Sequence, residues 1–183
     1  MSMRAFVGLS VPTEWIGPLV TAQGRVRGGN RVAPDDLHVT LAFLDDQPEQ
    51  RLEALSDALS AKRLSAATLR PLAFAALGAR KPRAVVLDLT PGADLTALRE
   101  TVRNAARSAG IDLPRERFRP HVTLVRFPSS APSETSDLPA TISRLGVPSM
   151  PQAPVTGAML WSSVLTPRGP IYEPLAAYPL RAA

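Results

Sequence analysis

The chain has 183 residues, 45% of them hydrophobic, which is enough for one shared core or two closely joined lobes. It holds no cysteine, which excludes disulfides, zinc–thiolate sites and a thiol nucleophile, and no apolar run approaches the roughly 20 residues needed to cross a bilayer. The formal charge of +5, supplied almost entirely by arginine, favours an anionic partner such as phosphate or nucleic acid, while the 5% aromatic content argues against a general single-strand stacking platform.

Met3 to Val11 reads as a strand, and Thr13 is placed to cap a helix running to about Gln23, with Glu14 in its first turn. Gly28-Gly29 breaks that helix. Arg31 to Ala33 fits a short strand, Pro34-Asp35-Asp36 a turn, and Leu37 to Leu44 a strand. Pro48 to about Arg63 carries Leu52, Leu55 and Leu59 at helical spacing. Thr68 to Leu77 and Arg83 to Thr90 read as strands around a Gly78–Pro82 turn. Asp94 to Ala109 is a helix with Leu95, Leu98, Val102 and Ala106 on one face and Gly110 as its stop. His121 to Phe127 is a further strand, and the Ser- and Pro-rich stretch 128–139 reads as a surface loop. Leu138 to Leu145 allows one or two helical turns. Val155 to Leu165 and Ile171 to Leu180 close the chain as strands around a Pro167–Pro170 turn.

The two histidines of the chain occupy identical words, His38-Val39-Thr40-Leu41 and His121-Val122-Thr123-Leu124. In a strand, side chains alternate, so each word presents one imidazole and one hydroxyl on the same side. A lone strand histidine is more often structural than catalytic, but two matched words point to shared chemistry. The repeat extends beyond them: Arg4-Ala5 to Pro12 has a counterpart in Arg83-Ala84 to Pro91, each followed by a helix and then by its histidine word. The expected fold is α+β, with two pseudo-symmetric βαβ-like lobes, each with an antiparallel sheet, flanking a cleft that holds both words, and with residues 1–183 forming a single bilobal domain. Two imidazoles and two hydroxyls suit acid–base chemistry on a phosphate: one ring takes a proton, the other gives one, and the hydroxyls donate to non-bridging oxygens.

By alternation, Phe43 points away from His38 into the core, and Arg126, five positions after His121, needs a twist or bulge to reach the same face. Arg119 shares the face of His121, as a phosphate contact or as a salt bridge at the strand entrance. His-Glu-x-x-His, Gly-x-Gly-x-x-Gly, phosphate-loop and Gly-x-Ser-x-Gly signatures do not occur.

The paired words, the opening Arg4-Ala5-Phe6-Val7, Phe43-Leu44, Arg119-Pro120 before the second word and the late Gly169-Pro170-Ile171-Tyr172-Glu173 together resemble the two-histidine phosphoesterases, and within them the RNA 2',3'-cyclic phosphodiesterases, also called 2'-5' RNA ligase-like proteins. The resemblance runs almost end to end, apart from the Ser/Pro-rich stretch. It implies opening of an RNA 2',3'-cyclic phosphate to a 2'-phosphomonoester without metal or cofactor, with reverse 2'-5' ligation as a minor activity. It makes His38 the proton donor and His121 the proton acceptor, supported by Thr40 and Thr123. Arg126, Arg119 and Tyr172 are candidate substrate contacts, with Arg168 in the same closing turn as Tyr172; Tyr172 also suits a packing role with a wet hydroxyl. The partner is RNA with a cyclic phosphate end or a small cyclic nucleotide, with an ADP-ribose-derived cyclic phosphate, or a cleft that only binds RNA, as alternatives. The absence of cysteine and of an export signal fits a monomeric cytoplasmic protein.

Overall fold

The computed structural model describes residues 1–78, 80–129 and 137–182. The first half comprises β1 (Ser2–Ser10), α1 (Thr13–Gly24), β2 (Asn30–Arg31), β3 (His38–Pro48), α2 (Glu49–Ala61) and β4 (Leu64–Ser65). The second comprises β5 (Ala67–Leu69), β6 (Pro71–Leu77), β7 (Ala84–Leu89), α3 (Ala93–Ser108), β8 (His121–Arg126), α4 (Leu138–Leu145), β9 (Ala153–Val155), β10 (Gly157–Thr166) and β11 (Gly169–Arg181). No described helix is long and apolar enough to cross a membrane.

The main sheet runs β4-β11-β10-β1-β3-β8-β7-β6, with β2 added on β8; β5 and β9 form a separate pair. Every pairing is antiparallel except β11 with β4. The two antiparallel half-sheets meet at one register pair, Val39 with Val122, so they join edge to edge at the two histidine strands. Strand β7, which lies between β8 and β6 in the sheet, is buried along nearly its whole length.

The helices cross between the halves. Helix α1, which follows β1, packs on β8, and α3, which follows β7, packs on β3. Both helices feed a single apolar cluster that includes Trp15, Leu19, Leu98 and Val102 from the helices and Val39, Leu41, Val122 and Leu124 from the histidine strands. Leu52, Leu55 and Leu59 bury the expected face of α2, and Leu95, Leu98, Val102 and Ala106 that of α3.

Several boundaries differ from the sequence reading. Helix α1 begins at Thr13, but no side chain caps it, and Pro12 holds the preceding position. The expected strand 68–77 divides at Arg70, because Ala67–Leu69 pairs with β9 while Pro71–Leu77 pairs with β7. The first histidine strand runs on to Pro48, and the closing turn is tighter than expected, with Gly169 at φ 116° starting β11. Most of the Ser/Pro-rich stretch, 130–136, lies outside the described residues.

Candidate active site

Strands β3 and β8 place the two words side by side. Extending the Val39–Val122 register by one residue in each direction sets His38 beside Thr123 and Thr40 beside His121, so rings and hydroxyls alternate across the seam. Val39, Leu41, Val122 and Leu124 are buried on the helix side, and the four polar side chains are half-buried on the other.

The two histidines are held in the same way. His38 Nδ1 lies 2.6 Å from the Asp36 carbonyl and His121 Nδ1 lies 2.7 Å from the Arg119 carbonyl. A carbonyl only accepts, so both Nδ1 atoms carry hydrogen, and Nε2 is in each ring the nitrogen that can exchange a proton. Thr40 Oγ1 stands 3.2 Å from His38 Nε2 and donates to it when the ring is neutral. Burial is the largest influence on His38 and drives its pKa down to about 4; Arg126 and His121 push it the same way, against the Asp36 carbonyl.

Both strands carry a bulge at the last residue of the word. Opposite β1, the register steps from Thr40 to Ala42, and opposite β7 from Thr123 to Val125, so Leu41-Ala42 and Leu124-Val125 are consecutive buried pairs. The extra residue reverses the alternation. Arg126 therefore turns to the face of His121, supplying the bulge that the sequence left open. Phe43, expected in the core, turns instead to the cleft and is 43% exposed. The two residues occupy equivalent places in the repeat.

On the His38 side these groups line a recess of about 260 Å³ with Arg4, Phe6, Thr40, Tyr172 and Ser163. Arg126 Nη2 donates to the Tyr172 hydroxyl at 3.0 Å. Tyr172 meets His38 edge-on at 5.3 Å between ring centroids, and Phe6 lies 4.8 Å from the imidazole with Trp161 behind it. This apolar wall is what desolvates His38. Tyr172 thus combines packing with a hydroxyl directed to Arg126, and its own ionisation is pushed up by burial. Arg4 lies over the Phe43 ring at 4.5 Å and pairs with Asp45.

The remaining candidates divide. Arg119 makes two hydrogen bonds to Asp88, from Nε at 3.0 Å and Nη2 at 2.9 Å, so its guanidinium is engaged in the salt-bridge alternative. Arg168 is exposed in the β10–β11 turn, where its backbone N–H donates to Thr166 Oγ1, and it does not line the recess. Arg4, Phe6 and Trp161 escaped the sequence reading. For Arg4 and Phe6 the usable signal was position: they open the repeat on the strand that pairs with β3. Trp161 is joined to them only by the register of β1 with β10. Among the described residues, no three His, Asp or Glu side chains converge as a metal site.

The sheet, the matched words and the clamped rings define a two-histidine phosphoesterase fold, and comparison places it. The sequence model of the 2'-5' RNA ligase superfamily matches residues 12–162, and the chain belongs to that superfamily. It is 33% identical over 195 residues to an RNA 2',3'-cyclic phosphodiesterase of Thermus thermophilus, covering 98% of this chain and 91% of that protein. An RNA 2',3'-cyclic phosphodiesterase of Archaeoglobus fulgidus is 29% identical over 185 residues, covering 96% and 99%. The crystal structure of E. coli LigT complexed with 3'-AMP superposes with a TM-score of 0.77 at 26% identity, covering 98% of this chain and 99% of that one.

Proposed function

We propose that this protein is an RNA 2',3'-cyclic phosphodiesterase that opens a terminal cyclic phosphate to a 2'-phosphomonoester. The observation that carries the reading is the pair of histidines, each with Nδ1 fixed on a backbone carbonyl and Nε2 left as the proton-exchanging atom at one seam. In this reading His121 Nε2 takes a proton from water as the water oxygen bonds to phosphorus. The bond from phosphorus to the ribose 3'-oxygen breaks, and His38 Nε2 gives that oxygen its proton. Thr40 and Thr123 donate to the non-bridging oxygens, and Arg126, steadied by Tyr172, offsets their charge. Arg119, paired with Asp88, contributes chiefly by presenting the carbonyl that orients His121.

The pKa of His38 sets a condition on that division of labour. A ring with a pKa of about 4 is neutral in the empty cleft at pH 7, so His38 acquires its proton with the substrate, whose negative charge favours the imidazolium. Once loaded, the imidazolium holds the proton that the poor alkoxide leaving group needs. With a 5'-hydroxyl in place of water, His121 takes its proton as O5' bonds to phosphorus, the bond to the 3'-oxygen breaks and His38 protonates it, which gives the minor 2'-5' ligation. We take residues 1–183 as one bilobal domain acting as a cytoplasmic monomer.

The test is hydrolysis of a short RNA ending in a 2',3'-cyclic phosphate, with EDTA present. Wild type should yield the 2'-phosphate, and His38→Ala and His121→Ala should each lower kcat by about 100-fold or more while keeping the native circular dichroism spectrum. A single variant with near wild-type turnover overturns the two-histidine mechanism.

A further inference from the structure

A second hollow adjoins the cleft on its other side. Leu72, Leu89, Pro91 and Phe118 line a largely apolar recess of about 530 Å³, a volume in the range that takes small organic ligands. Leu72 is 58% exposed there, a large apolar side chain left open to solvent. Two of the residues that line the recess adjoin His121. Asp88 is the register partner of His121, Arg119 offers the carbonyl that holds His121 Nδ1, and the ion pair between the two stands at the edge of the hollow.

Its charge is equally one-sided. Arg119 is neutralised by Asp88, but Arg117, on the same rim, is exposed and has no ion-pair partner among the described residues. A largely apolar recess, an uncompensated guanidinium on its rim and a net charge of +5 match a nucleotide, with the base against Leu72 and Pro91 and the phosphate on Arg117.

We propose that this recess is a subsite for the nucleotide preceding the cyclic-phosphate end, so that the protein selects RNA ends over mononucleotide cyclic phosphates. The inference rests on the phosphodiesterase reading above and adds to it a substrate length. Elements meeting at the rim explain how such a subsite stays aligned with the chemistry. The 112–120 loop is stapled to α3 by buried Arg99 and Arg103, which donate to the carbonyls of Glu116 and Pro114, and Arg99 lies over the Phe118 ring at 4.7 Å.

The experiment compares kcat/KM for adenosine 2',3'-cyclic phosphate with that for a di-adenosine ribonucleotide ending in the same cyclic phosphate. Wild type should favour the dinucleotide at least tenfold. Leu72→Asp combined with Arg117→Glu should bring the ratio close to one, mainly through KM, whereas Arg51→Glu on α2 should leave it in place. The mononucleotide rate, read in the same samples, reports whether each variant is folded. A wild-type ratio near one, a ratio that survives the double variant, or an equal loss in Arg51→Glu overturns the subsite while leaving the phosphodiesterase reading intact. A wild-type dimer in sedimentation that Leu72→Asp dissolves overturns it too, assigning the recess to a second copy of the chain. Hydrolysis of neither substrate by wild type overturns both readings.

Discussion

At His38, burial and chemistry pull in opposite directions. The folded pKa is about 4, whereas an exposed imidazole titrates near 6.5. Between those values the unfolded chain binds a proton that the folded ring refuses. The contribution of His38 to stability is therefore complete above about pH 6.5 and is lost as the pH falls through about 4, at most about 3 kcal/mol in all. Urea denaturation at pH 7 and pH 4.5 should show wild type losing more stability than His38→Gln, and equal losses would mean the ring is not desolvated. Anion binding reverses the balance. Calorimetry with sulfate at pH 6.5, in two buffers of different ionisation enthalpy, should show close to one proton taken up per site; no uptake would transfer the donor role to His121.

At the scale of elements, close approach of β1 and β3 holds the first word in place. A Cβ at Gly8 would meet the Val39 carbonyl at 2.6 Å and the Trp161 ring at 3.2 Å, and Gly8 is the register partner of Thr40. Gly8→Ala must push β3 outward. Destabilisation of about 1–3 kcal/mol by thermal or urea unfolding is expected, with a lower kcat on the cyclic phosphate in the surviving folded protein. An unaltered kcat would show that the Thr40–His38 geometry does not depend on this contact. The same scale explains what could be read from sequence. The words, their shared face and the amphipathic helices were legible because periods of 2 and 3.6 residues are local properties. The bulges after Thr40 and Thr123 were not, since a bulge exists only relative to the neighbouring strand, and so Phe43 was assigned to the core and Arg126 left undecided. The break at Arg70 is of the same kind: Ala67–Leu69 and Pro71–Leu77 form one apolar run whose two parts have different partners.

Across the whole molecule, the crossed helices bind the halves to each other. Helix α1 belongs to the first repeat and α3 to the second, yet each seals the histidine strand of the other. Neither repeat can bury its own sheet, so the structure should unfold as one unit despite its internal duplication. Thermal unfolding followed by tryptophan fluorescence, with Trp15 on the helix that covers β8 and Trp161 on β10 beside β1, should coincide with unfolding followed by far-ultraviolet circular dichroism. Separate transitions would mean that the lobes hold together independently. A fragment of residues 1–78 alone should not fold, because Trp15 and Leu19 would lose the β8 surface they cover.

The twin bulges have one more outcome. A duplicated frame with identical His-Val-Thr-Leu words would, left to itself, accept a ligand equally well in two orientations related by its pseudo-twofold axis. The fifth position after each histidine prevents this. One copy places an aromatic ring there and the other a guanidinium, on matching backbone supports. Together with the Phe6–Tyr172 wall that stands on the His38 side alone, this pair of unlike side chains gives handedness to the cleft, so two chemically identical rings are given a fixed order along the ligand.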